Sequence, residues 1–264
     1  MFFTFSCYLC AMKQAMIFAA GMGTRLKPLT DFMPKALVEV GGRPLLYHIV
    51  MKLKAAGFER IVVNVHHFAD MIERYVEEND SFGMDIRFSD ERDNLLDTGG
   101  GIRKALPLFD AGSPILIHNV DILSNVDLSA FYEMSNNNDA TLLVSRRKTK
   151  RYLLFDDRMS LRGWTNVETG EVKMSKEYAA VDAGDLSMLA FSGIHVINPS
   201  ALSSCLDEMP ERFGVIDFYL KWCGKHDFKG FVKEDLNLLD VGKLDTVDRA
   251  DRFLSDLYSI KNIN

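Results

Sequence analysis

Apolar positions along this chain follow two rhythms. Short, nearly continuous runs, such as Ala15-Met16-Ile17-Phe18-Ala19 and Ile115-Leu116-Ile117, read as strands buried on both faces. This pattern predicts strands at Ala15–Ala19, Ile61–Val65, Asp85–Ser89, Pro114–His118 and Ala140–Ser145. Between them, apolar residues recur at helical spacing near Leu45–Ala56, Ala69–Glu78, Gly101–Leu106 and Leu128–Asn136. Gly57 fits the position just past the first helix, where a left-handed residue ends the turn. Strand and helix patterns in alternation predict an α/β fold with a parallel sheet covered on both faces.

A second group of strands is predicted at Tyr152–Phe155, Met159–Gly163, Leu189–Ile197 and Phe228–Val232, with helices at Ser200–Glu208 and Val215–Cys223. The stretch Glu168–Asp185 is polar and aperiodic, as segments covering a site often are. Near the C-terminus, Leu244, Val247, Ala250, Leu254 and Leu257 recur at helical spacing, which predicts a helix packed on its own domain.

The candidate chemistry starts just past the first strand, at Gly21-Met22-Gly23-Thr24-Arg25, with Pro34-Lys35 ten residues on. Glycines there let the backbone approach a ligand that a Cβ would push away, and exposed amides in such a turn favour an anion. Arg25 and Lys35 add positive charge, and Pro28 and Pro34 are expected to hold the loop extended. A Gly-x-Gly alone is often only a tight turn. This one is not the dinucleotide fingerprint, whose third glycine is replaced by Leu26, and His66 and His67 stand where that fold wants an acid. No Gly-Lys-Ser/Thr follows, so it is not a P-loop. Together, strand, glycine loop, Arg and Lys describe a triphosphate site. Asp121, just after the run Ile115–His118, and Asp240, between Leu239 and Val241-Gly242, are acids at apolar-to-loop transitions, where open α/β sheets bind ligands.

The run from Ala19 to Thr30, with Pro34-Lys35-Ala36-Leu37-Val38, resembles the opening of the sugar-1-phosphate nucleotidyltransferases. Within that family the similarity is greatest to the branch that uridylylates N-acetylmuramic acid 1-phosphate. It is carried by Asp97-Thr98-Gly99-Gly100-Gly101-Ile102, Gly163-Trp164-Thr165-Asn166, Thr169-Gly170-Glu171 and Phe191-Ser192-Gly193-Ile194-His195. The resemblance implies a Rossmann-like, mostly parallel mixed sheet with helices on both faces, of the nucleotide-diphospho-sugar transferase type. It implies one nucleotidyltransferase domain over 12–264: a nucleotide part to about 125, a sugar part at 126–243 and a terminal helix at 244–260. The implied substrates are a nucleoside triphosphate, UTP, and a sugar 1-phosphate, with Mg²⁺ as cofactor and pyrophosphate released.

The resemblance assigns catalytic roles to Arg25, Lys35 and Asp121. It assigns nucleotide contacts to Ala19, Ala20, Gly21, Gly23, Thr24, Arg25, Thr98, Gly99 and Gly100, with Gly99–Gly101 expected as a second loop over the base or ribose and Gly101 starting a helix. Trp164, Asn166, Glu168 and Gly193 are expected to meet the sugar phosphate. Asp121 and Asp240 match the family's metal ligands, with two departures: Val120 stands where the family has Gly, and Lys243 where it has Thr. His195 is a weaker candidate for a sugar contact. A sugar phosphate is already mostly dianionic at neutral pH, so no general base is needed.

Composition narrows the alternatives. A net charge of −6 argues against non-specific nucleic-acid binding. No apolar run reaches the ~18–20 residues of a membrane span, so a cytoplasmic location is expected. The apolar segment 1–11 lacks the basic residues of a signal peptide and reads as an unstructured or mis-started leader before Met12. Its Cys7 and Cys10 find no second pair, and Cys205 and Cys223 are too far apart in sequence for a zinc motif. His66-His67 lacks a third metal ligand. Two further readings are a guanylyl- or cytidylyltransferase acting on a mannose, heptose or choline phosphate, and a non-catalytic nucleotide-sugar binder. The second would be expected to have lost Arg25, Lys35 or Asp121.

Overall fold

The computed structural model describes residues 12–261; the leader and its two cysteines lie outside the described residues. In chain order, the strands are β1 Gln14–Phe18, β2 Glu39–Val40, β3 Arg43–Pro44, β4 Arg60–Val65, β5 Asp85–Asp90, β6 Ile115–Asn119 and β7 Ile122–Ser124. They continue with β8 Ala140–Ser145, β9 Arg151–Phe155, β10 Leu161–Asn166, β11 Glu171–Met174, β12 Ser187–Ile197, β13 Phe228–Val232 and β14 Leu238–Asp240. The helices are α1 Leu45–Ala55, α2 Ala69–Glu78, α3 Asp97–Ala105, α4 Leu128–Met134, α5 Pro199–Asp207, α6 Val215–Trp222 and α7 Leu244–Lys261.

The main sheet runs β11-β10-β9-β12-β6-β1-β4-β5. β6, β1, β4 and β5 are parallel, with Gln14 opposite both Arg60 and Ile115. β12 lies antiparallel to β6, β8 and β9, and β13 extends the branch parallel to β8. Successive side chains of β1 point to opposite faces. Ala15 and Ile17 join α1, α2, α4 and α7 in one core, whereas Met16 joins α3, α5 and α6 in the other. The mixed, two-faced sheet is the architecture expected from the sequence.

Three local expectations are corrected. The loop after β1 is not extended: residues 24–37 coil through three short 3-10 turns, and Leu26 packs in the core. The strand expected at Met159–Gly163 starts later, at Leu161, because Met159 turns with φ +58°. Part of the expected cover at Glu168–Asp185 is β11, the edge strand paired with β10. α7 buries Ala250 and Leu254 against its own domain, and Asp251 accepts the Gly41 amide at 2.6 Å. Among the described residues no helix is long and apolar enough to cross a membrane.

Candidate active site

At the carboxyl ends of β1, β4 and β6, a cleft of about 410 Å³ is lined by Ala19, Ala20, Gly21, Gly23, Thr24, Arg25, Lys35, Thr98 and Asp121, among others. Gly23 sits at φ +60°, and a Cβ there would meet Thr30 Cγ2 at 2.9 Å and Lys35 Cβ at 3.1 Å. Only glycine fits both demands. The Gly23 carbonyl accepts from the Leu26 amide at 2.8 Å and from Thr30 Oγ1 at 2.9 Å, closing the turn that presents Arg25.

Two acids and two cations stand where this cleft meets a neighbouring cavity. β6 ends at Asn119, the chain turns through Val120 without left-handed φ, and Asp121 follows. The largely buried Lys35 ammonium forms an ion pair with Asp121 Oδ2. β14 pairs with β7 so that Asp240 stands opposite Ile122, and the Val241 amide donates to the Asp121 carbonyl at 2.8 Å. Desolvation and the charge of Asp121 push Asp240 above the usual carboxylate range, against the pull of Lys35, Arg25 and Arg147. At Gly242 a Cβ would fall 2.6 Å from Asp240 Oδ1 and 2.9 Å from Arg25 Nη2, so its absence lets the guanidinium and the acid share one corner.

Two neighbouring carboxylates are a hard, oxygen-only donor set, which suits Mg²⁺ completed by water and phosphate oxygens. No group of three or more His, Cys, Asp or Glu suited to a metal occurs among the described residues.

Several expected residues do other work. The amides of Ala19 and Ala20 are not free for a base: both donate to Asn64 Oδ1, at 2.7 and 3.3 Å. The triple glycine is not a loop. α3 begins at Asp97, and Gly99 and Gly100 lie buried inside it, both amides donating to the Phe213 carbonyl. A Cβ on Gly99 would strike the Phe213 ring, and one on Gly100 would come 2.8 Å from the Glu211 carbonyl. The glycines therefore let α3 dock against 211–213, whereas Thr98 lines the cleft and takes the Val215 amide on its hydroxyl. His195 is a core residue, bonded to the Tyr219 hydroxyl at 3.1 Å, and burial lowers its pKa to about 3.

Asn166 and Glu168 line a second cavity of about 670 Å³ together with Arg25, Asp240 and Gly242. Trp164 lines a third, and Gly193, at φ +76°, leaves space that a Cβ would fill 2.7 Å from Asn119 Nδ2. Sequence reasoning missed the relay behind the loop. Asn64 Nδ2 donates to Glu91 Oε1 at 2.8 Å, and the fully buried Glu91 takes the Leu96 amide on its other oxygen at 3.0 Å. The signal was an amide inside the apolar run Ile61–Val65.

A nucleotidyl transferase family model matches residues 14–153. N-acetylmuramate alpha-1-phosphate uridylyltransferase of Caulobacter vibrioides is 38% identical over 199 residues, 72% of this chain and 76% of that protein. D-glycero-alpha-D-manno-heptose 1-phosphate guanylyltransferase of Aneurinibacillus thermoaerophilus is 26% identical over 242 residues, 91% of this chain and 98% of its own. Among solved structures, UDP-glucose pyrophosphorylase from Acinetobacter baumanii superposes with a TM-score of 0.72 at 18% identity, covering 91% of this chain and 92% of that one. At that identity the likeness speaks for the fold.

Proposed function

Since the chain belongs to the nucleotidyl transferase family, we propose that it couples UTP to N-acetylmuramic acid 1-phosphate, forming the UDP-sugar and pyrophosphate. The convergence of Arg25, Lys35, Asp121 and Asp240 where the nucleotide cleft adjoins the second cavity carries this reading.

A phosphate oxygen of the acceptor attacks the α-phosphorus in line. The bond from the α-phosphorus to the oxygen bridging the β-phosphate breaks, and pyrophosphate leaves with that electron pair. No proton need be removed from the attacking dianion. The work left to the protein is to hold two anions together. At about 4 Å, two unit negative charges repel by about 4 kcal/mol even at an effective dielectric near 20. Asp121 and Asp240 would hold Mg²⁺, which supplies positive charge to the phosphate oxygens when bound. Arg25, on the wall between the two cavities, meets the charge that develops on the leaving pyrophosphate. Lys35 is anchored through Asp121 and presents its ammonium to the same polyphosphate. The Asn64–Glu91 relay fixes the backbone of 19–20, so that the loop costs little to organise when the nucleotide arrives.

The test is pyrophosphate release with UTP, GTP or CTP, each offered N-acetylmuramic acid, mannose or heptose 1-phosphate. UTP with N-acetylmuramic acid 1-phosphate is expected to give the highest kcat/KM. The guanylyltransferase relative, matched over nearly the whole chain, supports the second reading, and preference for GTP and a heptose phosphate would replace the first with it.

A further inference from the structure

Three cavities adjoin one another along the carboxyl edge of the sheet. The nucleotide cleft and the second cavity share Arg25 and Gly242; the second and third share Thr149 and Arg151. The third encloses about 350 Å³. Its walls are partly aromatic and aliphatic: Trp164 from β10, Phe191 from β12, and Ile216 and Leu220 from α6.

Its charges are unbalanced. Arg147, Arg151 and Lys173 face it, against Asp217 on its wall and the charge of Asp240 reaching Arg147 from the neighbouring cavity. Arg147 is held by a hydrogen bond from Nη2 to the Phe191 carbonyl at 2.8 Å and forms no ion pair among the described residues. The side chain of Arg151 has neither a hydrogen bond nor an ion pair among them. Lys173 lies over the Trp164 ring at 5.2 Å, with Glu171 at 3.5 Å. Cations gathered in a partly enclosed pocket repel one another unless an anion joins them. The proposed reaction puts the anomeric phosphate beside Asp121 and Asp240, which line the other two cavities, and leaves this one to a second anionic group of the acceptor.

We infer that the third cavity takes a carboxylate carried by the acceptor sugar, gripped by Arg147 and Arg151, with the pyranose against Trp164. This rests on the proposed reaction and assigns its specificity to named side chains. N-acetylmuramic acid bears a lactyl carboxylate on its C3 oxygen, and N-acetylglucosamine 1-phosphate is the same sugar phosphate with a plain hydroxyl there. A guanidinium matches a carboxylate in a two-point fork, which an ammonium cannot do.

The experiment measures kcat and KM with UTP for both sugar phosphates, on the wild type, Arg147→Gln, Arg151→Gln and Arg151→Lys, with thermal melts confirming that each variant folds. The wild type is expected to prefer the lactyl sugar. Each Gln variant should cut the ratio of the two kcat/KM values by about 10- to 100-fold, the size of a lost charge-assisted contact. The loss should fall on KM for the lactyl sugar rather than on kcat, because the carboxylate is remote from the reacting atoms. Arg151→Lys should restore part of the ratio. Equal efficiency on both sugars in the wild type, or a ratio unchanged in both Gln variants, overturns the inference and leaves the uridylyl transfer standing. Turnover of neither sugar with UTP in the wild type removes the reaction itself, and the inference with it.

Discussion

Asn64→Asp changes one side-chain nitrogen to oxygen and puts the relay behind the nucleotide loop under direct test. The new carboxylate keeps an acceptor for the amides of Ala19 and Ala20, so the backbone bonds survive. The other oxygen then lies where Asn64 Nδ2 was, 2.8 Å from Oε1 of the fully buried Glu91. At that distance and an effective dielectric near 20, two full charges repel by about 6 kcal/mol. The pair escapes by keeping a proton, so its folded-state pKa rises above the unfolded value of about 4. A raised acid pKa leaves stability intact below about pH 4 and erodes it by about 1.4 kcal/mol per pH unit above that, until the folded pKa is reached. Urea unfolding of the wild type and the variant at pH 5 and pH 8 reads this directly. The deficit relative to wild type should be about 1–2 kcal/mol at pH 5 and several kcal/mol at pH 8. Asn64→Ala, which strands both amides and a Glu91 oxygen, should instead show a deficit that changes little with pH. An Asn64→Asp deficit that is absent, or equal at the two pH values, would refute the relay.

Other consequences follow from the same geometry. Arg25→Ala and Asp121→Ala should keep the fold, the second with a lowered melting temperature because Lys35 loses its partner, and both should lose ~10²–10³ in turnover, about 3–4 kcal/mol of barrier; wild-type turnover in either removes the role given to it. Gly242→Ala should leave the melting temperature near wild type but depress kcat, because its Cβ displaces Arg25 or Asp240, and unchanged kcat would contradict that crowding. Burial lowers His118 and His195 to pKa values of about 3, so both stay neutral in the folded chain while the unfolded chain protonates near 6.5. Their stability is intact above that pH and lost as pH falls below it, by about 2 kcal/mol each at pH 5. Calorimetry at pH 7.5 and pH 5 should show the drop, and His195→Gln should show a smaller one.

Much of this was legible because the parallel strands are buried on both faces and read as unbroken apolar runs. Ala140–Ser145, Phe228–Val232 and Ala69–Glu78 carry the bounds expected from the sequence. The short pair β7 and β14, which sets Asp240 beside Asp121, has three residues a side and leaves no periodic signal. The start of α3 was hidden for a different reason. Three glycines argue against a helix on propensity, and tertiary packing against Glu211–Phe213 overrides that argument. Likewise, His195 was a candidate for a sugar contact, whereas β12 is flanked there by β6 and β8 and the imidazole is buried against Tyr219. The loop cations and both acids could be named from the residues. The engagement of the Ala19 and Ala20 amides by Asn64 could not, since it joins two strands 45 residues apart.

The central claim is that the β1 loop and two aspartates form one compartment for a polyphosphate and a divalent ion. Anomalous diffraction from a crystal grown with UTP and Mn²⁺ in place of Mg²⁺ tests it most directly. A single manganese peak within about 2.5 Å of carboxylate oxygens from both Asp121 and Asp240, with the triphosphate running past Gly23 and Arg25, is the expected result. Manganese bound elsewhere, or UTP outside this cleft, would contradict it.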